Sequence, residues 1–182
     1  MKFVSFSAVS MILAAAAAVI PAAGASAAER DKKFFESVEG NWTGPGEIVA
    51  GKYKGTKFNC TFEGTTPGNK KTGMTLDGGC RVGVFNQKMR ASIEHKAGRY
   101  QGTFLDGAEG KGLDIISGNV VESGQKVVLA INRKQLNGIM QAKLAGENTM
   151  NVTVSVRVDK QLVPVIGMSL KRVDTTAVGS ID

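Results

Sequence analysis

The chain has 182 residues, 42% of them hydrophobic, with 23 Lys and Arg against 16 Asp and Glu for a formal charge of +7. That length suits one domain around a single core. The positive balance favours solubility and weak attraction to anionic polymers or lipid headgroups, but is too modest to indicate nucleic acid by itself.

The chain opens with Met1-Lys2, an alanine-rich apolar run from Ala8 to Ile20, and the small-x-small sequence Ala25-Ser26-Ala27. This reads as a secretory signal peptide over residues 1–28, cleaved near 27/28, and it is too short and wrongly flanked for a membrane span. Cleavage removes Lys2 and no acidic residue, leaving 154 residues with 22 basic and 16 acidic groups, a charge of +6. No later apolar run approaches the ~18 residues that cross a bilayer, so no membrane span is expected. The expected compartment is the periplasm or another oxidising exterior, which further disfavours a nucleic-acid partner.

Residues 29–39 form a short cap, in which Asp31–Val38 has the pattern of two helical turns, with Asp31 as N-cap and Gly40 ending the helix. Phe34, Phe35 and Val38 then share an apolar face. From residue 40 to residue 174 the chain alternates polar and apolar residues in ten short runs. These are Trp42–Ala50, Tyr53–Glu63, Thr72–Val84, Gln87–His95, Tyr100–Leu105, Leu113–Glu122, Lys126–Asn132, Leu136–Leu144, Thr149–Val158 and Val165–Val173, with Gly and Asn clusters between them. Met150 to Asp159 is the clearest, with every even position to Val158 apolar and every odd one polar, as in a half-buried antiparallel strand. Residues 175–182 read as a flexible tail. No long helix interrupts the series, so a parallel sheet with helical crossovers is excluded. The expected fold is all-β: an antiparallel up-and-down barrel of 8–10 strands behind a short N-terminal helix, with a two-sheet sandwich as the alternative.

Cys60 and Cys80 are the only cysteines, and in an exported chain such a pair reads as a disulfide. A hairpin centred near Lys70 sets Cys60 against Cys80, Phe62 against Gly78 and Phe58 against Val82. Cys-x-x-Cys spacing is missing and one histidine cannot complete a zinc shell, so a redox or metal pair is disfavoured.

Gly40-Asn41-Trp42-Thr43-Gly44-Pro45-Gly46, following a short helix, resembles the start of calycin barrels of the lipocalin, nitrobindin and fatty-acid-binding types. The resemblance implies that Trp42 closes the barrel floor near a basic side chain of the last strand, for which Lys171 and Arg172 are both placed. It departs from nitrobindin-like proteins in having no histidine after His95, so haem held in that manner is not expected, nor is any other cofactor.

Met74, Met89, Met140, Met150 and Met168 all fall on the apolar parity of their strands. Flexible, polarizable side chains inside a barrel suit a pocket for varied apolar ligands, and they also fill ordinary cores. Candidate wall residues are therefore Trp42, Phe58, Phe62, Met74, Met89, Phe104, Met140, Met150 and Met168. Lys52, Lys54, Lys57, Lys70, Lys71 and Arg90 form a candidate basic surface for an anionic envelope component. His95, at a strand end, is a weak candidate metal or haem ligand. No nucleophile elbow or phosphate-cradling loop occurs, and the carboxylates lie mostly on polar parity, so an enzyme is not expected. The sequence thus points to an exported protein that holds a small, mostly apolar ligand, or to an envelope protein with a filled barrel and a basic exterior that binds anionic polymer, lipid headgroups or a protein partner.

Overall fold

The computed structural model describes residues 23–68, 71–105, 113–133 and 136–173. Most of the proposed signal segment, Lys70 and the tail lie outside that set. Helix α1 (Ala23–Val38) precedes ten strands: β1 (Gly40–Ile48), β2 (Lys57–Thr65), β3 (Gly73–Val82), β4 (Phe85–Lys96), β5 (Arg99–Leu105), β6 (Leu113–Val121), β7 (Lys126–Arg133), β8 (Leu136–Leu144), β9 (Thr149–Val158) and β10 (Gln161–Val173). Each strand pairs antiparallel with its sequence neighbours, and β10 returns to pair with β1, with Trp42 opposite Arg172. The ring is closed, which excludes the sandwich and leaves no edge strand exposed.

Three boundaries differ by four residues or more from the sequence expectation, for physical reasons. The helix begins eight residues earlier, through the good helix formers Ala23, Ala25, Ala27 and Ala28. Asp31 is therefore inside the helix rather than its cap. Strand β2 starts at Lys57 because Gly51 and Gly55, both at positive φ (86° and 88°), curl residues 51–55 into turns. Strand β10 starts earlier, at Gln161, because Pro164 is accommodated at an irregularity in the pairing between Pro164 and Ile166.

Antiparallel order distinguishes the two ends of the barrel. The connections after β2, β4, β6 and β8 share one end with α1; those after β1, β3, β5, β7 and β9 lie at the other. Helix α1 plugs its end with Phe34, Phe35 and Val38, all buried. Beneath it Trp42, with no exposed surface, donates from Nε1 to the Val38 carbonyl at 2.9 Å. The Arg172 guanidinium stacks 4.4 Å over the Trp42 ring and donates to the carbonyls of Ser37 (2.6 Å), Glu39 and Glu147 (3.3 Å). A cation at the carbonyl-rich helix C-terminus also meets the negative end of the helix dipole. Of the two basic candidates in β10, then, Arg172 is the floor partner, while Lys171 bonds outward to Thr149 Oγ1 at 3.0 Å.

Candidate functional site

Two apolar spaces are stacked inside the barrel. The inner one, about 60 Å³, lies under the helix and is lined by Phe34, Phe35, Val38, Phe62, Met74, Met150 and neighbouring aliphatic residues. The outer one, about 270 Å³, is a cup in the half away from the helix, lined by Ile48, Phe58, Val82, Gln87, Val154, Ile166 and others. Met89, Phe104, Met140 and Met168 line both, and so form the partition between them. An apolar cavity of ~150 Å³ stays dry and holds benzene. By that measure the inner space is too small for an aromatic guest, and the cup is large enough.

The disulfide is formed between Cys60 and Cys80, which are directly opposed in the β2–β3 pair, as are Phe62 and Gly78. Its sulfurs reach the partition, with Cys60 Sγ 3.8 Å from Met168 Sδ and Cys80 Sγ 3.3 Å from Met89 Sδ. A covalent link thus braces one wall of the cup, while the thioethers remain free to change rotamer. Gly46 faces Phe58 across β1 and β2, and a Cβ there would lie 2.2 Å from the Phe58 ring. This close approach lets the aromatic ring lie flat across the cup wall.

Of the sequence-predicted wall residues, Phe62, Met74 and Met150 line the inner space and Phe58 lines the cup. Met89, Phe104, Met140 and Met168 line both. Trp42 lines neither; it is the buried floor under Arg172. The aliphatic wall and Gln87, the one polar side chain of the cup, were not singled out, although the aliphatic residues share the apolar parity that marked the methionines. Gln87 donates to the Lys88 carbonyl at 3.3 Å, which leaves its amide oxygen at the lip.

His95 is exposed at the helix end, its ring 4.9 Å from that of Tyr100, and it borders neither space. Among the described residues no group of three or more His, Cys, Asp or Glu side chains could hold a metal ion. Tyr100 is buried and donates from its hydroxyl to Asp31 Oδ2 at 2.7 Å, tying α1 to β5. Burial, and then the bond to a carboxylate, push the Tyr100 phenol well above its ordinary value.

The candidate basic surface is divided by the fold. Lys52 and Lys54 lie in the β1–β2 turn and Lys57 opens β2, all at the cup end. Lys71 is at the helix end, 3.5 Å from Glu94, and Arg90 pairs with Asp77 on the outer wall. Lys70 lies outside the described residues. The five described residues are spread over both ends and the outer wall.

Fold and interior together define a closed ten-strand antiparallel barrel, plugged at one end and apolar within. Among solved structures, the chain is similar to Rv2717c from M. tuberculosis, with a TM-score of 0.58 and 12% identity over 78% of this chain and 96% of that one. It is also similar to the S-type phycobiliprotein lyase CPES from Guillardia theta, with a TM-score of 0.52 and 12% identity over 79% of this chain and 93% of that one. At such identity the likeness is one of fold. No protein-family model and no curated protein sequence matches the chain.

Proposed function

We propose that the chain is an exported binding protein that holds a small, mostly apolar molecule in the cup half of its barrel. The observation that carries this reading is the 270 Å³ cup, whose floor is three adaptable thioethers and Phe104 rather than packed aliphatic branches. An aromatic-sized body burying ~200 Å² gains ~5 kcal/mol from leaving water, part of which offsets the cost of association. Gln87 at the lip supplies an orienting hydrogen bond. The reading requires no catalytic group and assigns none.

Export is supported by the signal-like N-terminus and by the disulfide, which persists in oxidising compartments. Cleavage near 27/28 removes the first part of α1 but spares Asp31, Phe34, Phe35 and Val38, the residues that fasten the helix. N-terminal mass analysis of the protein from its own host tests this directly, and a chain beginning at Met1 overturns it.

The binding reading is tested by titrating the neutral dye N-phenyl-1-naphthylamine while exciting Trp42, the only tryptophan. Saturable energy transfer from the buried floor to the dye is the expected result. Absence of transfer, together with native mass spectra showing no retained molecule, refutes it in favour of a filled barrel.

A further inference from the structure

We infer that the rim of the cup is a docking surface for an anionic phospholipid bilayer, so that the barrel opens towards the membrane. Large apolar side chains are concentrated where a soluble barrel would ordinarily be polar. In the β3–β4 turn Val84 is 91% exposed, Phe85, which opens β4, is 77% exposed, and in the β1–β2 turn Tyr53 is 63% exposed. Val158 and Leu162 flank the β9–β10 turn. These three turns are neighbours around the mouth, since β10 pairs with β1 and β2 with β3, and the Val49 amide donates to the Val165 carbonyl at 2.9 Å between two of them.

Interleaved with the apolar tips are exposed cations: Lys52, Lys54, Lys57, Arg81, Lys88 and Lys160. None of these is in an ion pair among the described residues. The acidic groups described near this rim are Glu47, Asp114 and Asp159. The helix end is different. There Lys32 pairs with Glu36, Lys33 with Glu29, Lys71 with Glu94, and Lys126 and Lys143 with Glu122. At the helix end five lysines are held in ion pairs, although Lys96 and Arg99 are not, while at the cup end none of the six cations is paired among the described residues, and they stand beside aromatic and aliphatic tips. The Lys52 ammonium lies 5.5 Å from the centroid of the Tyr53 ring, so a cation and an amphipathic aromatic share one turn tip. Unpaired lysines seek headgroup phosphates, and aromatic tips settle at the headgroup level. A soluble protein partner would satisfy the apolar tips, but the cationic collar around them complements an anionic bilayer.

The test is co-sedimentation of the purified protein with vesicles of equal parts phosphatidylglycerol and phosphatidylcholine, against vesicles of phosphatidylcholine alone. Binding is expected only to the anionic vesicles and should weaken sharply between ~0.1 M and ~1 M salt. The Lys52→Gln, Lys54→Gln, Lys57→Gln triple variant should bind about a hundredfold more weakly, at about fivefold per lysine. The Val84→Ser, Phe85→Ser pair should lose about tenfold or more. These positions are exposed, so all variants should keep the parent melting temperature. Lys32→Gln, Lys33→Gln and Lys96→Gln at the opposite end should change binding less than about twofold. No binding to anionic vesicles overturns the assignment, as does equal loss from both ends. Binding to dextran sulfate with the same affinity in the Val84/Phe85 serine variant, without vesicle binding, assigns the rim to a soluble polyanion and also overturns it. The vesicle assay requires no guest in the barrel, so its failure is separable from failure of dye uptake.

Discussion

Met140→Ala asks whether the interior is divided by a thioether partition. Met140 lies on β8, is 9% exposed and borders both the inner space and the cup. The substitution removes three heavy atoms beyond Cβ, worth about 2 kcal/mol of transfer free energy at ~0.8 kcal/mol per methylene-sized group. Walls braced by the disulfide and by closed backbone pairing leave little room for collapse, so a cavity contribution of about 1 kcal/mol follows. The total, about 3 kcal/mol, corresponds to a fall in melting temperature of roughly 6–12 °C for a domain of this size. Urea unfolding followed by Trp42 fluorescence measures the loss. Adding benzene at ten times its dissociation constant should return about 1.4 kcal/mol to the variant, because the merged space now accommodates it. Met140→Leu, which conserves volume, should cost less than about 1.5 kcal/mol and show no rescue. A Met140→Ala loss below about 1 kcal/mol with no benzene effect would mean the two spaces were never separated by this side chain.

Reduction of Cys60–Cys80 releases a closure of sequence separation 20 and should lower stability by about 3 kcal/mol, read as the shift in melting temperature with and without a phosphine reductant. Tyr100→Phe should cost about 1 kcal/mol at neutral pH through loss of the Asp31 bond. Because the folded phenol titrates above its ordinary value of ~10, its contribution is complete below that pH and declines above it, by up to about 1.4 kcal/mol per pH unit. Urea melts from pH 8 to 11 should therefore slope downward more in the parent than in the Phe variant, and equal slopes would refute the assignment. Arg172→Met should destabilise by about 2 kcal/mol and speed amide exchange at residues 34–38, since it strips the guanidinium from the helix-end carbonyls, whereas Lys171→Met should leave exchange unchanged.

Much of the barrel was legible in the sequence because its signals are local. Strands β8 and β9 have the predicted bounds, since strict alternation from Met150 to Val158 admits one side-chain assignment and Gly146 ends the preceding run. The Cys60–Cys80 register followed from the centre of one hairpin. The choice of Arg172 over Lys171 was available from parity, because Met168, Leu170 and Arg172 share a side of β10, but only contact with Trp42 decides it. What could not be read depends on long-range geometry. Antiparallel order sends Lys52 and Lys71 to opposite ends, but which turns adjoin around the mouth depends on ring closure. The partition at Met89, Phe104, Met140 and Met168 depends on how four side chains from different strands meet, and periodicity reports only that each points inward.

The two ends also differ in what can move. Around the helix, Phe34, Phe35, Trp42 and Tyr100 are buried, and Trp42 and Tyr100 are also hydrogen-bonded to a backbone carbonyl and a carboxylate, so opening there would break several contacts together. At the other end the cup is bordered by single side chains, and its floor is Met89, Met140 and Met168 with Phe104. On the binding proposal, a guest in the cup would exchange through the mouth without crossing the floor, while exchange through the helix end would require rotamer changes in Met89, Met140 and Met168 and undocking of α1. Since leaving an open cup costs far less than partial unfolding, the binding proposal places guest traffic at the mouth. The exposed apolar and cationic tips surround that same opening, so a barrel resting on them would receive an apolar molecule with a shortened path through water.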